Sequence, residues 1–333
     1  MRVAENILEL VGQTPLVKIG KLNPYPAVTI LAKLEMFNPG GSVKDRMAFY
    51  ILQKAEREGI IKPGDTIVDN TSGNTGIGVA IFAAVRGYRA LLTIPDRMSE
   101  EKIDLLKAYG AEILICPSNV PINHPESAYS KAREIAERTG AFYLNQYHNP
   151  GNAETHYLLT GPELWAQTGG KLDILVTGIG TGGTCSGVGR YLKEKNRQIK
   201  IVAVDPKGSV FKDYIEKGVA ISPSAYKLEG IGAEMITGAL DKQVIDQVVE
   251  VTDRDAFLMT RELAKKEGIL AGGSSGAALW ACLEVAKKIN QPKTIVTLFP
   301  DTGLRYLSRY FDTEWMETYG YMEKTSMKPA LTH

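Results

Sequence analysis

The chain has 333 residues, 44% of them hydrophobic and 23% charged, enough to bury a substantial core and to divide into about two domains. Lys plus Arg number 39 against 38 Asp plus Glu, so the formal charge of +1 leaves no whole-molecule field to draw in nucleic acid or an anionic membrane. Three widely spaced cysteines, Cys116, Cys185 and Cys282, include no CxxC pair, which argues against a disulfide framework or structural zinc and points to a reducing, cytoplasmic setting. No apolar stretch approaches the roughly 20 residues a membrane helix needs. The start, MRVAENILELVGQTP, carries acids inside its short apolar run, unlike a cleaved leader.

In chain order, strand-like runs occupy residues 29–35 (TILAKLE), 65–70, 89–95, 111–117 and 141–146, with helical patterns between them. Over 43–58, Val43, Met47, Tyr50, Ile51 and Ala55 recur at three- and four-residue spacing, giving an amphipathic helix closed by Gly59. Ser99 followed by Glu100 and Glu101 reads as a helix N-cap with acids at the positive end of the dipole. The alternation resumes with strands at 174–180, 200–206, 247–251 and 294–300. It predicts an α/β fold of mainly parallel sheets flanked by helices. Asn149, Pro150 and Gly151 break the pattern, so two α/β domains are expected over 1–148 and 149–320, with the first strands free to join the other sheet. The polar stretch after about Trp315 reads as a loosely held tail, set apart over 321–333.

Four glycine-rich segments carry the candidate chemistry: NPGGSVKDR (38–46), TSGNTG (71–76), GIGTGGT (178–184) and AGGSSGA (271–277). Such loops let the backbone approach a ligand and offer helix N–H groups to an anion, although each alone also fits a plain strand-to-helix turn. Gly178, Gly180 and Gly183 satisfy G-x-G-x-x-G, which leaves a nicotinamide oxidoreductase open, but Asp205 stands 27 residues beyond Gly178. That is later than the usual ~20. Lys44 follows Gly40, Gly41 and Ser42 at the start of the amphipathic helix, a place where a lysine can be desolvated enough to act as a Schiff-base nucleophile.

These four segments, in this order and spacing, resemble the cystathionine β-synthase and cysteine synthase family of fold-type-II pyridoxal-phosphate enzymes. The likeness runs from GQTPLVK (12–18) to FPD (299–301). The resemblance implies a tryptophan synthase β-like architecture with the cofactor between the domains. It implies that Lys44 forms the internal aldimine with pyridoxal 5'-phosphate and moves the α-proton, and that Gly180, Thr181, Gly182, Gly183 and Thr184 cradle the phosphate. Asn74 would bond the phenolic oxygen, Thr71, Ser72, Asn74, Thr75 and Gln146 would hold the amino-acid substrate, and Ser274 would face the pyridine nitrogen. A serine there, unlike an aspartate, leaves the ring a weaker electron sink, which suits prompt loss of a β-substituent through an aminoacrylate.

HPESAY (124–129), QYHNPGN (146–152), KLEGIG (227–232) and RYLSRYFDTEWM (305–316) look more like the cystathionine β-synthase branch. Glu229 stands where cysteine synthases commonly have glutamine. With Tyr147, Gly230, Gly232 and the segment Pro125, Glu126 and Ser127, it is expected to shape the acceptor side, favouring homocysteine over bare sulfide. The expected reaction joins serine or O-acetylserine to homocysteine, with cysteine synthase as the alternative and a non-catalytic, partner-binding relative as a remote one. Small-molecule amino-acid and thiol substrates, a homodimer, no nucleic acid and no membrane complete the expectation. The chain lacks the haem-ligating extension and paired regulatory modules of larger relatives, so no haem is expected. His124, His148, His156 and His333 show no metal-ligand spacing, so no metal site is expected either.

Overall fold

The computed structural model describes residues 3–71, 73–96, 98–219 and 221–323. The first part of the chain runs β1 (Leu16–Ile19), β2 (Val28–Leu34), α1 (Lys44–Arg57), β3 (Thr66–Asn70), α2 (Asn74–Arg86), β4 (Arg89–Pro95), α3 (Glu100–Ala108), β5 (Glu112–Cys116), α4 (Ala128–Thr139) and β6 (Phe142–Tyr143). It continues with α5 (Gly151–Thr155), α6 (Gly161–Gln167), β7 (Ile174–Gly178), α7 (Gly183–Lys195), β8 (Lys200–Pro206), α8 (Phe211–Lys217), β9 (Gln247–Val251), α9 (Asp253–Glu262), α10 (Gly273–Ala286), β10 (Lys293–Phe299) and α11 (Thr313–Thr318).

Two sheets result. One has six strands in the order β1-β2-β10-β7-β8-β9, the other four in the order β5-β4-β3-β6. Every pairing is parallel except β1 with β2. The strands are short and β-branched because helices cover them, and parallel strands joined by helical crossovers need both faces apolar. The small sheet is drawn from one contiguous stretch, whereas the large sheet recruits β1 and β2 from the start of the chain and pairs β2 with β10 from residue Val28 to Leu34. The described helices include none long and apolar enough to cross a membrane.

Three expectations need correction. The strand expected over 141–146 shrinks to Phe142–Tyr143, because Asn145 takes φ +53 and turns the chain out of the sheet. LVKI, not anticipated as a strand, forms β1 as an antiparallel edge. The stretch from Trp315, expected to be loose, is instead docked as far as it is described. Met316 is fully buried, Trp315 meets Phe257 edge-on with ring centroids 5.7 Å apart, and the Tyr321 hydroxyl donates to Asp253 at 3.0 Å. The rest of that tail, 324–333, lies outside the described residues. Ser99 stands at the N-cap of α3 in an extended conformation, but its hydroxyl accepts no helix N–H.

Candidate active site

All the glycine-rich loops except 271–277 follow the C-terminal ends of parallel strands, where a crevice opens in open α/β sheets. A cleft of about 370 Å³ lies there, lined by Val43, Lys44, Thr177, Thr181, Thr184 and Gly230 among others.

Lys44 is placed by what lies behind it. The turn before it is closed by Gly41 N–H donating to Asn38 O at 2.8 Å, and Val43 N–H reaches Pro300 O at 2.8 Å, tying α1 to the end of β10. Two residues on, Arg46 is buried and donates to Glu35 at 2.7 Å and Glu163 at 2.8 Å, while Lys33 donates to Glu163 at 2.5 Å. Thr14 and Asn38 donate to Glu35 at 2.7 and 2.8 Å. This closed ionic knot locks the first turn of α1 onto β2 and α6. Breaking one such buried pair costs about 3–5 kcal/mol. In the cleft itself, burial pushes the Lys44 amine below the ordinary lysine value, against the pull of Asp301 and Glu35. Asp45 beside it is also buried, and desolvation raises its carboxyl to about 7 although Gly40 N–H donates to it at 2.5 Å.

The loop after β7 is built for close approach. A Cβ on Gly180 would lie 2.5 Å from Gly230 O and one on Gly183 2.0 Å from Asn152 Oδ1, and Gly182 holds φ +88, so side chains are barred from all three. Helix α7 opens at Gly183 with no side-chain cap and no acid in its first turn, leaving its N–H groups for an anion. Asn152 Nδ2 donates to Thr181 Oγ1 and to Gln146 O, both at 2.8 Å. His156 is buried between Thr160 at 2.9 Å and Thr184 at 3.1 Å, and burial drops its pKa well below the usual histidine range, so the imidazole is neutral. The cradle therefore has a helix dipole, hydroxyls and backbone, and no cation of its own.

Thr71 accepts from Gly73 N–H at 3.0 Å and Gly76 N–H at 3.2 Å, so its oxygen caps the start of α2. Ser72 lies outside the described residues. Thr75 donates to Gln146 Oε1 at 2.7 Å, and Gln146 Nε2 donates to Asn70 O at 2.7 Å, which brings those two predicted residues together. Asn74, first in α2, donates to Asp301 at 2.8 Å and accepts from Arg305. Ser274 is buried in the first turn of α10, and a Cβ on Gly230 would stand 3.9 Å from its hydroxyl.

On the acceptor side the placements are mixed. Gly230 lines the cleft. Gly232 N–H donates to Ile179 O at 2.6 Å and pins the 229–232 loop to the end of β7. Tyr147 packs its ring on Tyr129, centroids 6.4 Å apart, and Ser127 caps α4 while Glu126 pairs with Lys131 at 2.9 Å. Glu229 is no solvated loop acid. Lys102 from α3 pairs with one of its oxygens and Arg309 with the other. Lys102 is almost fully buried, its ammonium 4.5 Å from the centre of the Tyr306 ring, and its stem lies 3.1 Å from where a Gly73 Cβ would sit. This array bridges the TSGNTG loop and the 229–232 loop.

The sequence reading did not assign Asp301, Arg305, Tyr306, Lys102, Arg309, Asn152 or His156. The signal for the first three was FPD at the end of the β10 strand, followed by RYLSRY. Asp205, which the nicotinamide reading needed, is fully buried and accepts from Lys212 N–H at 2.8 Å, so it is occupied in its own loop.

The family model for pyridoxal-phosphate dependent enzymes matches residues 7–301. The chain belongs to that family. It is 45% identical over 97% of its length to a cystathionine beta-synthase of Apis mellifera, of which it covers 64%, and 42% identical over 98% to one of Mus musculus, of which it covers 59%. It is also 47% identical over 91% of its length to a cysteine synthase of Staphylococcus aureus (strain Mu50 / ATCC 700699), of which it covers 96%. The crystal structure of an O-ureido-L-serine synthase matches with a TM-score of 0.87 at 36% identity, covering 98% of both chains. The chain thus spans less than two thirds of these two cystathionine beta-synthases and nearly all of the cysteine synthase. The residues present fit the family's cofactor. An uncapped helix N-terminus suits a phosphate, and a desolvated Lys44, which makes no ion pair among the described residues, suits an aldehyde carbon.

Proposed function

We propose that the chain carries out β-replacement on serine or O-acetylserine with homocysteine as acceptor, forming cystathionine. Pyridoxal phosphate, when bound, supplies the electron sink that lets the β-substituent leave. Lys44, lowered by burial so that its neutral amine is accessible, takes the proton from the α-carbon. With serine, that proton leaves on the departing hydroxide as water, and the acceptor thiol's proton is returned to the α-carbon through Lys44. With O-acetylserine, acetate departs unprotonated. The amide and hydroxyl of Gln146 and Thr75 and the hydroxyl of Thr71 hold the substrate carboxylate, and the neutral cradle of Gly180, Thr181, Gly182, Gly183 and Thr184 holds the phosphate.

The observation that carries the choice of acceptor is Glu229 set between Lys102 and Arg309. Such an alternating array can exchange partners with the ammonium and carboxylate of an amino-acid thiol, whereas sulfide has no head group to use. Cysteine synthase is the second reading, favoured by the 47% identity to the staphylococcal enzyme. Holoprotein given each donor and an equimolar mixture of homocysteine and sulfide should form mainly cystathionine. Glu229→Gln should raise the KM for homocysteine about tenfold, one charged hydrogen bond's worth, and that for sulfide less. Cysteine as the main product would transfer the assignment to the second reading.

A further inference from the structure

A side-chain amide has a donor end and an acceptor end, and the two ends of Asn74 are gripped by opposite charges. Its Nδ2 donates to Asp301 Oδ2 at 2.8 Å, and its Oδ1 accepts from Arg305 Nη1. Both charged residues are buried, Asp301 at 2% exposure and Arg305 at 6%. Rotating the amide by half a turn would set its oxygen against a carboxylate and its N–H against a guanidinium, so only one orientation is stable. Asp301 is itself fixed, since the Tyr306 hydroxyl donates to the same Oδ2 at 2.7 Å and Gly272 N–H donates to its backbone oxygen at 3.0 Å.

Arg305 has a second attachment. Its Nη2 donates to Gly40 O, in the turn that leads into Lys44, and a Cβ on Gly41 would lie 3.1 Å from that nitrogen. One buried guanidinium therefore joins the turn carrying the lysine to the amide that opens α2. These two groups come from segments 30 residues apart, 74 less 44, and Arg305 reaches them from beyond β10. An arginine suits this place because its planar fork serves two acceptors at fixed angles, which a lysine ammonium on a flexible stem does not.

We propose that Arg305 is a positioning residue for the cofactor's phenolic oxygen. It locks the Asn74 amide with its remaining N–H turned to the cleft, and its charge polarises that N–H into a stronger donor. The inference rests on Lys44 and Asn74 as cofactor partners and is independent of which thiol the enzyme accepts.

The test uses holoprotein and reads the visible absorption maximum, its pH titration and the cofactor dissociation constant for Arg305→Gln, Arg305→Lys, Asn74→Ala and the Arg305→Gln/Asn74→Ala double variant. Arg305→Gln should shift the band and its titration and weaken cofactor binding about tenfold, as expected for one charge-assisted hydrogen bond. Arg305→Lys, which keeps the charge but loses the fork, should lie between it and the wild type. In the double variant the band should be no further displaced than in Asn74→Ala, because the arginine acts through the amide. Wild-type band and titration in Arg305→Gln, with only a lower melting temperature of the cofactor-free protein, would reduce Arg305 to a structural brace and overturn the proposal. Additive displacements in the double variant would overturn it equally. Should the glutamine variant not fold, the lysine variant decides: a wild-type spectrum refutes the proposal and an intermediate one supports it. Loss of cofactor binding in Asn74→Ala with no spectral change in either arginine variant would leave the cofactor assignment standing and sink the inference alone.

Discussion

The two walls of the cleft hold polar groups by opposite means. The wall after β7 is neutral: an uncapped helix end, three glycines, two threonines, Asn152 and an uncharged His156. The facing side, where α2 and α3 meet the segment after β10, is ionic, with Arg305 and Asp301 on Asn74 and Lys102 and Arg309 on Glu229. A neutral cradle binds a dianion without placing a competing counter-charge beside it, and it needs close approach more than charge. The ionic side orients dipoles and can trade partners. Binding strength and binding specificity are thereby assigned to different walls.

Lys44 stands where the walls meet, so it should show the largest effect. Lys44→Ala should lower turnover by at least about 10³-fold, the usual reach of a general base, and abolish the visible band of lysine-linked cofactor. Steady-state rates and a spectrum decide it, and normal turnover would remove Lys44 from its role. Gly183→Ala tests the neutral wall. Its methyl would sit 2.0 Å from Asn152 Oδ1 and push that side chain off both Thr181 and Gln146, so cofactor affinity should fall about 100-fold, two hydrogen bonds' worth. An unchanged dissociation constant by fluorescence titration would show that the cradle does not depend on close approach.

The smallest effect concerns Asp69, fully buried at the end of β3 behind the ionic side. Desolvation raises its carboxyl from 3.8 to about 8, although Oδ1 accepts from Asn145 N–H at 3.0 Å, and Oδ2 has no partner. Because the folded value lies above the unfolded one, the protonated form favours folding, and stability drains away as pH climbs from about 4 to about 8. Asp69→Asn should melt at higher temperature than the wild type at pH 8, with a gap that narrows toward pH 4. A gap independent of pH in thermal melts would show that the acid does not titrate there.

The two walls also differ in how readily the sequence reveals them. GIGTGGT carries its function locally, because a helix N-terminus and close backbone approach are made by neighbouring residues. NPGGSVKDR does the same for Lys44. The ionic side is assembled from Lys102, Glu229, Arg305 and Arg309, which share no local period, and charged residues in loops look alike whether solvated or clamped. The knot of Lys33, Glu35, Arg46 and Glu163 was hidden for the same reason: each reads as an ordinary polar position until β2, α1 and α6 are brought together. The parallel alternation made the α/β class legible. The edge strands β1 and β6 were misjudged because four and two residues are too few to show a period.

The pairing of β2 with β10 sets an order on synthesis. Strands β3 to β6 can close their sheet from one contiguous run of chain as it leaves the ribosome, but β2 must wait some 260 residues for the partner that covers it, by which time Asp301 is next to emerge. Until then β2 is an apolar strand with an open edge, a template for pairing with other nascent chains. The enzyme's most vulnerable moment therefore precedes its first turnover by a single strand, and chaperone dependence should concentrate on the interval between the birth of β2 and that of β10.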